Sequence, residues 1–317
     1  MRRVDFIHYK RHRARGLSLI EFMVSITLGL VVVLASMSTY LSISRAARFA
    51  EAQDRMNDDA QAALGILTQQ LRMAGNNPKR AYQYPVRNPV YDSSTFIVRG
   101  CDGMFTNLST APSIGALSCS AGSTNSPDSL AVTYEADRYN TVASAAGLPT
   151  DCLGQPLPVL TANVTSMASG TPTSTAVSFS VAENRFYIGT STVITAPSLY
   201  CLGSGGANAM PLVENVEDLQ INYGTSPATS NTGTVAGYLS ANGLTTDSGL
   251  LALSSDAARW SRVVSVRLCV LIRSESPVVS DLPSAQYIQC DGTLKTNPPD
   301  LRLRHAYSTT VVLRNRI

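Results

Sequence analysis

The 317-residue chain is 44% hydrophobic, 15% charged and 7% aromatic, which excludes a disordered, collagen-like or wholly membrane-embedded polypeptide and suits one or two domains with a sizeable core. Its net charge of +3 is unevenly placed, because residues 1–16 hold six Lys or Arg against one Asp and everything after them sums to −2. That remainder has no clustered cationic surface for phosphates, so nucleic acid is not expected as a partner.

The basic segment runs straight into LSLIEFMVSITLGLVVVLASMSTYLSI, residues 17–43, where Glu21 is the only charged side chain. That length spans a bilayer as a helix, and the preceding Lys/Arg cluster predicts a cytoplasmic start with the remainder translocated across the inner membrane. A secretory signal would have a shorter apolar core followed by a small-residue cleavage site. Glu21 separates the segment from a plain anchor, since an ionisable group in an apolar helix costs a few kcal/mol and marks function by default.

With its surroundings, Arg15-Gly16-Leu17-Ser18-Leu19-Ile20-Glu21 resembles the processing site of type IV prepilins and pseudopilins. The resemblance implies that residues 1–16 are a leader, that a prepilin peptidase cuts after Gly16, that Leu17 becomes the methylated first residue, and that Glu21 is the fifth-position glutamate. The physics agrees with those roles. Glycine gives a protease close access to the backbone. A freed Leu17 amine is positive, and a carboxylate one turn on can neutralise it, on the same subunit or on a neighbour. Glu21 is thus expected to set register during assembly.

No proline occurs between Leu17 and Asn77, and the only glycines there are Gly29, Gly65 and Gly75. From residue 44 the pattern turns amphipathic, with Phe49, Met56, Ala60, Ala63, Leu64, Leu67 and Leu71 on a stripe expected to pack on a sheet. Gly75 followed by Asn76, Asn77 and Pro78 is a stop signal. One helix is predicted over Leu17 to Ala74, on the order of 85 Å long. Its apolar part is 17–43 and its amphipathic part 44–77.

Residues 78–317 lose helical periodicity and read as a β-rich periplasmic or extracellular domain. Strands are predicted at Thr95 to Arg99, Leu130 to Glu135, Ala176 to Val181, Arg185 to Ile188, Leu219 to Tyr223, Val263 to Arg273 and Thr309 to Arg314. In Val263 to Arg273, Val264, Val266, Leu268, Val270 and Ile272 alternate with Ser265, Arg267, Cys269 and Arg273, so its apolar face should cover the amphipathic helix. Low-complexity stretches at Ser118 to Ser126, Ala162 to Thr175 and Thr225 to Thr246 read as exposed loops or hairpin decorations.

All six cysteines, Cys101, Cys119, Cys152, Cys201, Cys269 and Cys290, follow the membrane segment, which favours disulfides. Six allow 15 pairings, of which the sequential one (Cys101 with Cys119, Cys152 with Cys201, Cys269 with Cys290) is preferred. Without a CxxC pair or a neighbouring histidine, no metal site is expected.

Three further segments, LVENVEDLQ (212–220), WSRVVSVRLCVLIR (260–273) and RLRHAYSTTVVLRNR (302–316), look like the PilW family of minor type IV pilins. That resemblance implies the α+β type IV pilin fold, a long N-terminal helix on an antiparallel sheet. It also implies a minor pilin that joins other minor pilins, and the major pilin, in a complex priming pilus assembly near the filament tip, beneath a PilY-type adhesin. A J-type pseudopilin of type II secretion shares the fold, and a membrane-tethered adhesin is the other alternative. Glu214, Glu217 and Asp218 read as a turn entering a strand or as an acidic patch. Arg302, Arg304, Arg314 and Arg316 read as solvated or as contacts for an acidic neighbour.

Catalysis has little material. Only His305 of the three histidines follows the leader, no nucleophile elbow or Walker A motif occurs, and Gly203-Ser204-Gly205-Gly206 lacks a strand-to-helix context. Neither enzyme activity nor a cofactor is expected.

Overall fold

The computed structural model describes residue 16 and residues 18–77, 96–120, 126–168, 171–229 and 233–316. Residues 1–15 of the expected leader, Leu17, and Thr95 of the first expected strand lie outside the described residues. The chain divides into two compact units, Met1–Ala50 and Glu51–Ile317.

Helix α1 runs Leu19–Met73 without interruption. In the second unit its buried face is Met56, Ala60, Ala63, Leu67 and Leu71, the three-and-four spacing of a single stripe. Leu64 is partly buried against the same core. Phe49 differs from expectation and is exposed. Each fully buried leucine contributes about 1.5–3 kcal/mol.

Gly75 ends the helix with φ +71°, where an added Cβ would lie 2.7 Å from Ile97 Cδ1. Its N–H donates to Thr133 O at 2.9 Å. The last carbonyls, which lack helical partners, accept from one distant side chain: Asn315 Nδ2 lies 3.1 Å from Arg72 O, 3.4 Å from Met73 O and 3.2 Å from Ala74 O.

Two antiparallel sheets complete the second unit. The first contains β1 (Val98–Cys101), β2 (Ser129–Ala136), β3 (Leu160–Ala168), β4 (Thr171–Gly189), β5 (Ser198–Gly203) and β6 (Met210–Glu214). Its order is β1-β2-β4-β5-β6, with β3 paired to β4. The second contains β7 (Val216–Thr225), β8 (Gly237–Leu239), β9 (Val263–Arg273) and β12 (Arg304–Val312) in the order β12-β9-β7-β8. A small hairpin, β10 (Tyr287–Ile288) with β11 (Leu294–Lys295), and two short helices, α2 (Ala241–Thr246) and α3 (Asp256–Trp260), decorate it.

Strand β9 has the bounds the alternation predicts, and Val266, Leu268, Val270 and Ile272 share one core with Leu67 and Leu71 of α1 and with Leu130 and Phe186. The break expected between Ala176 to Val181 and Arg185 to Ile188 does not occur, because β4 is continuous. The Ser/Thr-rich stretch around it forms the β3–β4 hairpin. Residues 225–246, expected as exposed loops or hairpin decorations, include β8, which pairs with β7, and the short helix α2.

Asp128 stitches the sheets together. Its N–H donates to Leu219 O at 2.7 Å, and its Oδ2 accepts from Ile221 N–H at 2.7 Å. Burial pushes its carboxyl up to about 8, with Asp102 and Asp218 adding like charge. Asp218 is itself raised, mainly by burial. A carboxyl whose folded pKa lies above its unfolded value stabilises the fold below the unfolded pKa, and that contribution is lost as pH rises toward the folded value. Stability is therefore expected to fall between about pH 4 and pH 8, and Asp128→Asn should flatten this decline in thermal unfolding across that range. An unaltered slope in the variant would remove Asp128 as its source.

Three disulfides join Cys101 to Cys119, Cys152 to Cys201 and Cys269 to Cys290. The first ties β1 to the following loop, the second ties the Cys152 turn to β5, and the third ties β9 to the β10–β11 hairpin.

Candidate functional site

Two parts of the chain carried the functional expectations, the N-terminal segment and the acidic and basic clusters towards the C-terminus. In the first unit, Leu19 to Ile43 contains large apolar side chains exposed on every side, among them Leu19, Phe22, Ile26, Val31, Leu34 and Leu41. The helix is long and apolar enough to cross a membrane, and none of its apolar window is buried. A soluble core helix of that composition would be covered.

Polar groups within this stretch are satisfied locally. Ser25 Oγ donates to Glu21 O at 2.6 Å, Thr27 Oγ1 to Val24 O at 2.9 Å, Ser36 Oγ to Val32 O at 2.8 Å and Thr39 Oγ1 to Ala35 O at 2.9 Å. Such back-bonding removes the cost of placing hydroxyls in a medium without water.

Gly16 and Ser18 are exposed, and Leu17 lies outside the described residues. Ser18 and Glu21 cap the helix reciprocally. Glu21 N–H donates to Ser18 Oγ at 3.2 Å, and Ser18 N–H donates to Glu21 Oε2 at 3.4 Å. This is the S-x-x-E capping box, a role for Glu21 that was not among those expected from the sequence, although the spacing carries the signal. It places the carboxylate at the start of the helix, one turn from Gly16, and exposed among the described residues. The positive helix end favours a negative group there.

The acidic and basic clusters meet each other. Asn215, at φ +61°, is the single residue between β6 and β7, so LVENVEDLQ is the crossing from one sheet to the other. Asn215 O accepts from Arg273 N–H at 3.0 Å. Directly after it, Glu217 receives Arg304 Nε at 2.5 Å and Nη2 at 3.0 Å, while Arg304 Nη1 donates to Asp300 Oδ1 at 2.7 Å. Arg302 donates to Ser274 O at 2.8 Å and to Glu275 O. Burial acts to lower the Arg304 pKa, but the bonds to Glu217 and Asp300 hold it above the ordinary value. Hydrogen bonding from Arg304 draws Asp300 below its ordinary range.

Arg304 is thus neither solvated nor free to receive an acidic neighbour; it locks the sheet crossing to β12. Glu217 is not an open acidic patch for the same reason. Among the described residues, no group of His, Cys, Asp and Glu has the arrangement of a metal site.

Comparison with known proteins adds two family matches and one structure. The family described as "Type IV Pilus-assembly protein W" matches residues 185–315, which span β4 to β12 and hold both the Asn215 crossing and Arg304. The "Prokaryotic N-terminal methylation motif" matches residues 11–37, around Gly16 and Glu21. No curated protein matches the chain. A solved type IV-like pilin from Thermus thermophilus aligns at 12% identity over 83% of this chain and 99% of its own, with a TM-score of 0.35. The chain therefore carries a segment, residues 185–315, that matches the PilW family, and ahead of it, over residues 11–37, a prokaryotic N-terminal methylation motif.

Proposed function

We propose that the chain is a minor pilin of the type IV pilus. Prepilin peptidase cuts after Gly16 and Leu17 is methylated, leaving the apolar half of α1 in the inner membrane and the disulfide-bonded unit in the periplasm. From there the subunit joins other minor pilins, and through them the major pilin, in a complex that primes assembly and sits near the filament tip, where a PilY-type adhesin is a candidate neighbour. The observation that carries this reading is the exposed apolar length of Leu19 to Ile43 with a single carboxylate at its start. That surface needs lipid first and other apolar helices later, and Glu21 needs a positive partner in either setting.

Mass spectrometry of the purified protein is expected to find methylated Leu17 at the mature N-terminus. An intact Met1 on functional protein would reject the reading in favour of a membrane-tethered binding protein. Deletion is expected to abolish surface pili and twitching while exoprotein secretion persists; the reverse outcome would assign the chain to a secretion pseudopilus.

A further inference from the structure

The second sheet has a polar outer face, opposite the core, that holds a cleft of about 250 Å³. Neighbouring strands put Asn222 of β7 and Thr310 of β12 directly beside Arg267 of β9, and Gln220 and Ser308 beside Cys269 one step along. The wall is Gln289, Cys290 and Gly292 of the β10–β11 hairpin, tethered over the sheet by the Cys269–Cys290 disulfide. Arg267, Asn222 and Ser308 are exposed.

Among the described residues, Arg267 is the only charged side chain lining this cleft. Among the described residues its guanidinium has no ion pair, and its recorded contact is the Tyr238 ring, 4.2 Å from the centroid. Stacking on that ring holds the guanidinium flat at the edge of the cleft, and a guanidinium presents its N–H groups in the plane to a planar acceptor. The nearby carboxylates are already engaged, Asp218 by Gln220 Nε2 and Asp291 by Thr293.

We propose that this cleft binds an acidic sugar of the uronic-acid class, with the sugar carboxylate on Arg267 and ring hydroxyls on Asn222 and Ser308. Three features select that chemistry. The volume suits one sugar ring rather than a drug-sized ligand. No large aliphatic side chain lines the cleft, whereas the buried centre of a protein-binding patch is apolar. Amide and hydroxyl groups beside a guanidinium match a ligand carrying hydroxyls next to a carboxylate. The site is independent of the filament reading and stands or falls separately from it.

The test is a ligand-observed NMR titration of the full chain in a polyoxyethylene detergent, which carries no sugar, using glucuronate, glucose and tetraglutamate as probes. Glucuronate is expected to bind with a Kd of about 1 mM, and glucose at least about ten-fold more weakly. Arg267→Gln should weaken glucuronate by about ten-fold or more, Asn222→Ala should weaken it measurably, and added salt should weaken the unmodified protein. Both variants are expected to keep the melting temperature; should Arg267→Gln lower it, Asn222→Ala decides. Equal binding of glucose, no glucuronate binding, unchanged affinity in the variants, or preference for tetraglutamate would overturn the proposal, the last in favour of a protein carboxylate.

Discussion

A chain carrying Glu21→Ala is expected to be cut after Gly16 as before and to keep the melting temperature of its disulfide-bonded unit, while surface pili fall at least about ten-fold. A charge left unpaired in an apolar helix environment costs about 2.5–3.5 kcal/mol, and each 1.4 kcal/mol is a factor of ten. Under the proposed processing, the amine of Leu17 would be such a charge once the subunit leaves the headgroup region. Glu21 starts the exposed apolar helix and already reaches back to Ser18 N–H, so its carboxylate sits where that amine would be met. Capping and neutralisation separate through Glu21→Gln, since glutamine also completes a capping box but carries no charge. Pilus counts by electron microscopy should be as low for Glu21→Gln as for Glu21→Ala, with equal ratios of cut to uncut protein. Normal pili from Glu21→Gln would reduce Glu21 to a helix cap.

What was legible in the sequence was whatever local patterning enforces. β9 alternates clearly over its middle, from Val264 to Val270, because Val266, Leu268 and Val270 face the core shared with α1 while Arg267 and Cys269 face away, so period two survives there in the residues themselves. Gly75 was legible because the left-handed conformation that ends a helix favours glycine. β4 was read as two strands because Ala182-Glu183-Asn184 looks like a polar break. Asn184 is instead wholly buried, its Nδ2 donating to Gln70 Oε1 at 2.7 Å and to Tyr134 Oη at 3.2 Å, and its Oδ1 accepting from Cys152 N–H at 3.2 Å. Tyr134 Oη also donates to Gln70 Oε1, at 3.2 Å, and burial holds the phenol up at about 12. The one available signal was Gln70, a polar residue three positions after Leu67 on the buried stripe. Asp128 gave none, since its partners Leu219 and Ile221 lie on the other sheet. The N-terminal methylation motif was legible because it lies in one contiguous segment, residues 11–37, whereas the Arg267 cleft draws on three strands and a hairpin far apart in the chain.

Arg304→Ala is expected to destabilise the second unit by about 3–5 kcal/mol, the cost of removing one partner from a buried ion pair. For a domain of this size that corresponds to a fall of roughly 10 °C in melting temperature. The Arg304 side chain is 0% exposed and its donors are shared between Glu217, 24% exposed, and Asp300, 34% exposed. Cutting it to alanine leaves a gap at the start of β12 and leaves Glu217 with Arg273, 4.0 Å away, in place of two close bonds, so the join between the sheets loses its clamp. Arg304→Lys tests geometry against charge: an ammonium cannot match the two parallel bonds to Glu217 and reach Asp300 together, so it should recover only part of the loss. The difference between wild type and Arg304→Ala should also depend on pH. Asp300 is depressed by Arg304, so its contribution is complete above the unfolded carboxylate pKa of about 3.9 and disappears as pH falls through the lower folded value. Thermal unfolding followed by circular dichroism should therefore show the largest gap near neutral pH and a narrower one at about pH 2–3. A loss below about 1 kcal/mol in Arg304→Ala would mean that the pair is solvated in solution and that another contact holds the PilW segment together.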